Sequence, residues 1–219
     1  MSDSRVDGCG LRGNIGSVPG TDSASRAAGV ASSTPNRDRH PDEAALIDRA
    51  CHGDRPAFAA LVEFYWDRLY RWLYHLARDR HTAEDLAQDT CLKAFAGLKS
   101  FTPGTNFAGW LFRIAHNNFA NHCRSRRRGE ALPDELTAKE RGPEEEAQSN
   151  EALRELGRAL RRVPAEFRAA LLLRAEEGMS FREIADVLGL TEETARWRVF
   201  KARQKLLGIL APQLEQEKP

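Results

Sequence analysis

The segment SFREIADVLGLTEETARWRVFKAR, Ser180 to Arg203, decides the fold of this chain. Ser180 followed by Glu183 has the spacing of a capping box, in which hydroxyl and carboxylate each satisfy an amide at a helix start. FREIADVL then makes one short helix, Gly189 supplies a tight turn, and Thr191 caps a second helix. That is a helix-turn-helix, whose second helix enters the DNA major groove with its N-terminal residues against base edges. On this helix Ala195, Val199, Ala202 and Leu206 share one face. Trp197 and Phe200 fall opposite, among Arg196, Arg198, Lys201, Arg203 and Lys205. A cationic outer face favours DNA over a purely structural pair of helices. Arg196, one turn in, is placed to pair with guanine edges. Arg198, Lys201, Arg203 and Lys205 lie on the flanks, where phosphates would make binding salt-dependent. Glu192 and Glu193 favour the helix dipole, and Glu193 has the chemistry to accept from a cytosine amino group. Trp197 has two readings, apolar contact with thymine methyls or packing on a neighbouring helix.

Working outward, Leu153, Leu156, Leu160 and Val163 form an apolar stripe. Pro164 suits the first position of a helix running through EFRAALLLRAEE to Gly178. The spacing predicts an all-helical domain over 151–210, with a C-terminal tail at 211–219. Upstream, residues 129–150 contain two prolines, two glycines and dense acid, and are read as a flexible acidic linker. Before it, 43–128 is helical throughout. Phe58, Leu61, Val62, Tyr65, Leu69, Trp72, Leu73 and Leu76 recur at helical spacing. HTAEDLAQDTCLKAFAGL follows with Thr82 as expected N-cap, SFTPGTN is a loop, and FAGWLFRIAHNNFANHCRSRRR is another helix. Residues 1–42, rich in Gly, Ser, Asp and Arg, are read as a disordered tail or a mis-assigned start. No segment alternates as a half-buried strand does, so the fold class expected is all-α, two small helical domains.

The formal net charge of +1 hides strong segregation. Thr90 to Gly129 carries seven cations and no acid, whereas Glu130 to Glu155 carries nine acids. Arg124, Arg126, Arg127 and Arg128 have no acidic neighbours in sequence, which favours a polyanion. Interleaved with Trp110, Phe112 and Phe119, they suit single-stranded or melting DNA, though Phe112 and Phe119 read more readily as core. If Ala87, Cys91, Ala94 and Leu98 face inward, Asp85, Gln88, Asp89 and Leu92 form a polar surface with one leucine. No run reaches the ~18 apolar residues of a membrane span, and no signal pattern opens the chain. Cys9, Cys51, Cys91 and Cys123 are far apart, as in a reducing cytoplasm. His116, His122 and Cys123 make too small a set for metal. No nucleophile triad or phosphate-binding glycine loop is present. An enzyme, a cofactor and membrane insertion are therefore not expected.

In order and spacing, AEDLAQDT, WLFRIAHN and the helix-turn-helix together resemble bacterial RNA polymerase sigma factors of the extracytoplasmic-function type, over roughly 50–210. The resemblance implies that the first domain is region 2-like and the second region 4-like. It implies docking on core RNA polymerase, through the β′ clamp helices and the β flap, with Asp85, Gln88, Asp89 and Leu92 on the clamp. It implies promoter DNA as ligand, with −10 contacts from the loop Ser100, Phe101, Thr105 and Asn106. Trp110, Arg113, Asn117, Asn121, Arg124, Arg126, Arg127 and Arg128 extend that surface. The −35 set is Thr191, Glu193, Arg196, Trp197, Arg198, Phe200, Lys201 and Arg203. An anti-sigma factor is a frequent regulator in the family. Here Trp197 replaces a small polar residue and Ala195 a valine of the common pattern, so the family's −35 sequence preference does not transfer. A stand-alone helix-turn-helix regulator is the competing reading.

Overall fold

The computed structural model describes residues 42–129 and 151–216. Most of the expected tail and linker lie outside the described residues, as do 217–219. Among those described there are eight α-helices, one 3-10 turn and no strand.

Helix α1 (Glu43–Cys51) leads into α2 (Arg55–Ala77), which starts where Asp54 accepts the Ala57 amide at 3.1 Å and ends with Arg78 left-handed at φ 62°. Helix α3 (Arg80–Gly97) begins earlier than expected. Asp79, not Thr82, is its N-cap and accepts the Thr82 amide at 2.7 Å, so Thr82 is buried in the first turn. A carboxylate three residues ahead out-competes a hydroxyl for that position. After the 3-10 turn Leu98–Ser100, Asn106 caps α4 (Phe107–Arg128) by accepting the Gly109 amide at 3.0 Å. A Cβ on Gly109 would come within 3.2 Å of the Asn106 amide, so any larger residue there presses on the capping side chain. Leu61, Tyr65, Leu69, Trp72 and Leu73 of α2 meet Ala83, Ala87 and Ala94 of α3 and Leu111, Phe112, Ala115 and Phe119 of α4, all buried. Trp72 meets Phe112 edge-on at 5.5 Å. Phe112 and Phe119 are core.

The second domain holds α5 (Glu151–Arg162), α6 (Ala165–Ala175), α7 (Phe181–Leu188) and α8 (Glu192–Gln216). Pro164 is the N-cap of α6 and not its first helical residue. Its ψ of 143° is extended, and its carbonyl accepts the Arg168 amide at 2.9 Å. Leu156 leaves the expected stripe for solvent, and Ala159, Leu160 and Val163 do the packing. The capping box is present: Ser180 Oγ accepts the Glu183 amide at 3.2 Å, and Glu183 accepts the Ser180 amide at 2.8 Å. Loss of such a cap costs about 1 kcal/mol. Gly189 turns the chain at φ 65°, a conformation glycine adopts without strain. Helix α8 continues past residue 210, through the start of the expected tail. Arg168 is fully buried and donates to the Leu160 and Val163 carbonyls at 2.9 and 2.8 Å, satisfying groups that the end of α5 leaves open.

The two domains pack against each other, α4 on α7 and α2 on α6. Trp72 Nε1 donates to the Ala169 carbonyl at 3.4 Å. Arg68 pairs with Glu177, both nearly closed to solvent, and Arg71 lies 3.7 Å from Glu176. Asn106 Nδ2 donates to Glu183 Oε1 at 2.7 Å.

Candidate nucleic-acid and polymerase interfaces

The inner face of α8 is built from Ala195, Val199 and Ala202, all buried. That phase turns the large aromatics outward: Trp197 is 50% exposed and Phe200 55%. The two readings of Trp197 prove compatible, because its ring meets Phe167 of α6 edge-on at 5.5 Å while half its surface stays open. Thr191 accepts the Thr194 amide at 3.2 Å and sets the helix start at the position expected. Arg196 is exposed, bonded to Glu192 at 3.1 Å, with its guanidinium 5.2 Å from the Phe181 ring centre. A weak surface pair of this kind leaves the fork available to another acceptor. Glu193 and Arg203 are exposed, and Lys201 is half-buried beside Gln204 at 3.2 Å.

Arg198 is the exception on this helix. Expected on the phosphate-facing flank, its side chain is only 14% exposed and sits 3.6 Å from Glu166 of α6. Burial holds its guanidinium below the usual range, opposed by Glu166. It also bears on His116 of α4, which burial, then Arg198, depress to about 4. His116 is therefore neutral at pH 7. Contact between Arg198 and DNA requires this junction to part.

The loop before α4 is anchored by aromatics. Phe101, Phe107 and Trp110 form a triangle with ring centres 5.2 to 5.5 Å apart. Phe101, expected in the −10 set, is buried at 6% and faces this cluster, so it fixes the loop and offers no open ring for stacking. Ser100 and Thr105 are exposed at the rim, while the Asn106 side chain is held between its own helix and Glu183. Trp110 is half-buried. Arg113, Asn117 and Asn121 project from α4 one turn apart, and Arg124 donates to Asn121 at 3.0 Å. Arg126, Arg127 and Arg128 occupy the last turn, where cations complement the helix dipole.

The inward set of α3 and the turn after it is as expected: Ala87, Ala94 and, in the 3-10 turn, Leu98 are buried and Cys91 half-buried. Burial pushes the Cys91 thiol up to about 11, so it is a packing residue and not a nucleophile. Asp85 and Gln88 face solvent, Leu92 is 69% exposed, and Asp89 is bonded to Lys93 at 2.7 Å. Lys93 also donates to Asn118 of α4 at 2.7 Å, and Asn118 to Thr90 at 3.0 Å. This polar chain fixes the angle between the acidic face of α3 and the cationic face of α4. His116, His122 and Cys123 are not joined by further ligands. No group of three or more metal-binding side chains occurs among the described residues. None of their helices is long and apolar enough to cross a membrane.

Sequence reasoning missed the junction. Arg68, Glu177 and Trp72 gave no local signal, since their partners lie 97 or 109 residues away.

Sigma-70 region 2 matches residues 61–129, and Sigma-70, region 4 matches residues 153–206. The chain is 40% identical over 161 residues to the ECF RNA polymerase sigma factor SigE of Mycolicibacterium smegmatis, covering 71% of this chain and 62% of that one. It is 31% identical over 185 residues to the RNA polymerase sigma-H factor of Pseudomonas aeruginosa, covering 78% and 95%. Among solved structures it resembles the sigma factor RpoE of Bartonella quintana in complex with the anti-sigma factor NepR, with TM-score 0.60 and 29% identity over 70% of this chain and 96% of that one. It also resembles CnrH in complex with the cytosolic domain of CnrY, with TM-score 0.58 and 26% identity over 80% and 99%. Carrying both regions in this order, the chain belongs to the extracytoplasmic-function RNA polymerase sigma factors.

Proposed function

We propose that this chain binds core RNA polymerase and directs promoter-specific initiation, with the first domain reading the −10 element and the second the −35 element. The observation that carries it is one chain bearing an acidic face with an exposed leucine on α3, an anchored polar loop before a cationic α4, and a separate cationic reading helix. A duplex-binding repressor has use for the last alone, so the stand-alone regulator is not favoured.

The roles follow from chemistry. Asp85, Gln88, Asp89 and Leu92 dock on the β′ clamp helices, and the second domain on the β flap. Arg196 reads a base edge, with Trp197 and Phe200 as apolar contacts. Thr191, Glu193, Lys201 and Arg203 complete that set, and Arg198 joins once the junction opens. In the first domain the exposed rim of the loop, Ser100 and Thr105, with Trp110, meets unpaired bases, and the Asn106 nitrogen joins once the junction frees it from Glu183. Arg113, Asn117, Asn121, Arg124 and Arg126 to Arg128 meet the backbone. Unstacking a base costs a few kcal/mol, and capture of the splayed strand offsets it. Bond formation in RNA synthesis belongs to the polymerase. The site of action is the cytoplasm, and an anti-sigma factor is the expected regulator.

Run-off transcription with core polymerase, with start sites mapped, tests the assignment. Specific starts separated by a constant distance from two recurring elements support it. Failure to bind core at both low and moderate salt rejects it.

A further inference from the structure

Behind the DNA-facing surface of α4, a cleft of about 420 Å³ opens where both domains meet. Its walls come from the end of α2, Thr82 of α3, the last turns of α4 and Arg168 of α6. Arg78, Arg126, Arg127 and Arg168 line it together with His122, and no carboxylate does. Arg78 also donates to the Arg161 carbonyl across the junction, and burial, then Arg161, hold its guanidinium below the usual range. Against burial, the Thr82 bonds, then the His81 and Arg126 charges, hold the Asp79 carboxyl at the N-cap of α3 below the usual range. Leu76, Ala77 and Phe119 give the cleft an apolar floor.

Like charges gathered in a half-closed space raise the free energy of the closed arrangement, and a multivalent anion removes that cost. Arginine is also the side chain best shaped to fork onto phosphate oxygens. The apolar floor leaves room for a planar or aliphatic body beside the charged part. We propose that this cleft binds a small polyphosphate anion, of the kind carried by nucleotides, and that occupancy holds the two domains together. The open cations, Arg78, Arg126 and Arg127, belong to the first domain, and Arg168, whose guanidinium is taken up by the Leu160, Arg161 and Val163 carbonyls, closes the cleft from the second, so the cleft is complete only while the domains touch. The same phosphate chemistry could be supplied by the backbone of DNA, and the test separates the two sources.

Isothermal titration of the full chain with sodium tripolyphosphate, and separately with a nucleoside triphosphate, both without metal, measures the site. Sulfate at matched ionic strength is the reference. The expected result is one-to-one binding at or tighter than about 100 μM for the polyphosphates, with sulfate at least tenfold weaker. Arg78→Gln and Arg127→Gln each weaken it at least fivefold, whereas Arg182→Gln, an exposed cation on α7 outside the cleft, stays within twofold. Arg68→Ala, which loosens the junction without touching the cleft, also weakens it at least fivefold. Absence of one-to-one binding overturns the proposal. So does equal loss in Arg182→Gln, which would mean diffuse attraction. So does Arg78→Gln losing affinity for duplex DNA but not for tripolyphosphate, which would assign these arginines to the DNA backbone alone.

Discussion

Replacing Arg68 by alanine tests whether the packed arrangement of the two domains is the resting state that promoter binding must undo. By name, the −10 and −35 elements lie about 25 base pairs apart, or about 85 Å of B-form duplex at 3.4 Å per pair. A compact body of this chain length has a radius of gyration of only about 17 Å. If the two domains read these two elements as proposed, they must separate to reach both. Arg68 and Glu177 span the junction, with side chains 13% and 2% exposed. Removing one partner of a buried pair costs about 3–5 kcal/mol, because the other is left uncompensated. In Arg68→Ala that penalty falls on the closed state alone, since opening returns Glu177 to water. Taking the lower end, about 3 kcal/mol, the open fraction rises about 150-fold. Arg71→Ala is the internal reference. Its pair with Glu176 is 49% and 31% exposed at 3.7 Å, so less than about 1 kcal/mol and fivefold is expected. Small-angle scattering should show expansion for Arg68→Ala only, and the free protein should gain affinity for a −35 duplex at least tenfold. Identical scattering and affinity for wild type, Arg68→Ala and Arg71→Ala would refute the reasoning.

Three further outcomes are expected. Asp85→Ala combined with Asp89→Ala should weaken binding to core polymerase while leaving duplex binding by the second domain unchanged, read by pull-down and mobility shift. Arg196→Ala should cost about 1–3 kcal/mol on a cognate −35 duplex and relax discrimination at one position, whereas Arg203→Ala should mainly reduce the salt slope. His116 contributes stability that is full above its unfolded value of 6.5 and is lost as pH falls toward about 4. Midpoints of thermal unfolding should thus fall between pH 6.5 and 4 in wild type, and less steeply in His116→Phe.

The helix-turn-helix was legible because every signal in it is local: cap, turn glycine and stripe lie within a few residues of what they determine. Thr191, Gly189 and the outward phase of Trp197 and Phe200 are where the spacing puts them. The N-caps of α3 and α6 shifted because a stronger or more extended neighbour, Asp79 or Pro164, competed for the same amides. The resemblance puts Phe101 in a DNA-facing loop, and only its partners Phe107 and Trp110 show that it points inward. Arg198 looks like its cationic neighbours in the chain. Its burial is decided by α4 and α6, elements that helical periodicity cannot bring into view.

Asn106 has a chemical consequence of its own. Its oxygen holds the Gly109 amide, its nitrogen holds Glu183 Oε1, and Glu183 holds the Ser180 amide with its other oxygen. One carboxamide thus links the first turns of two helices from two domains, and both of its ends are committed. Hydrolysis of that amide to a carboxylate, isosteric and one formal charge apart, keeps the acceptor for Gly109 but sets two anions face to face across the join. Asn106→Asp would therefore keep the cap of α4 while setting like charges against each other across the join, and the join, not either helix, would take the cost.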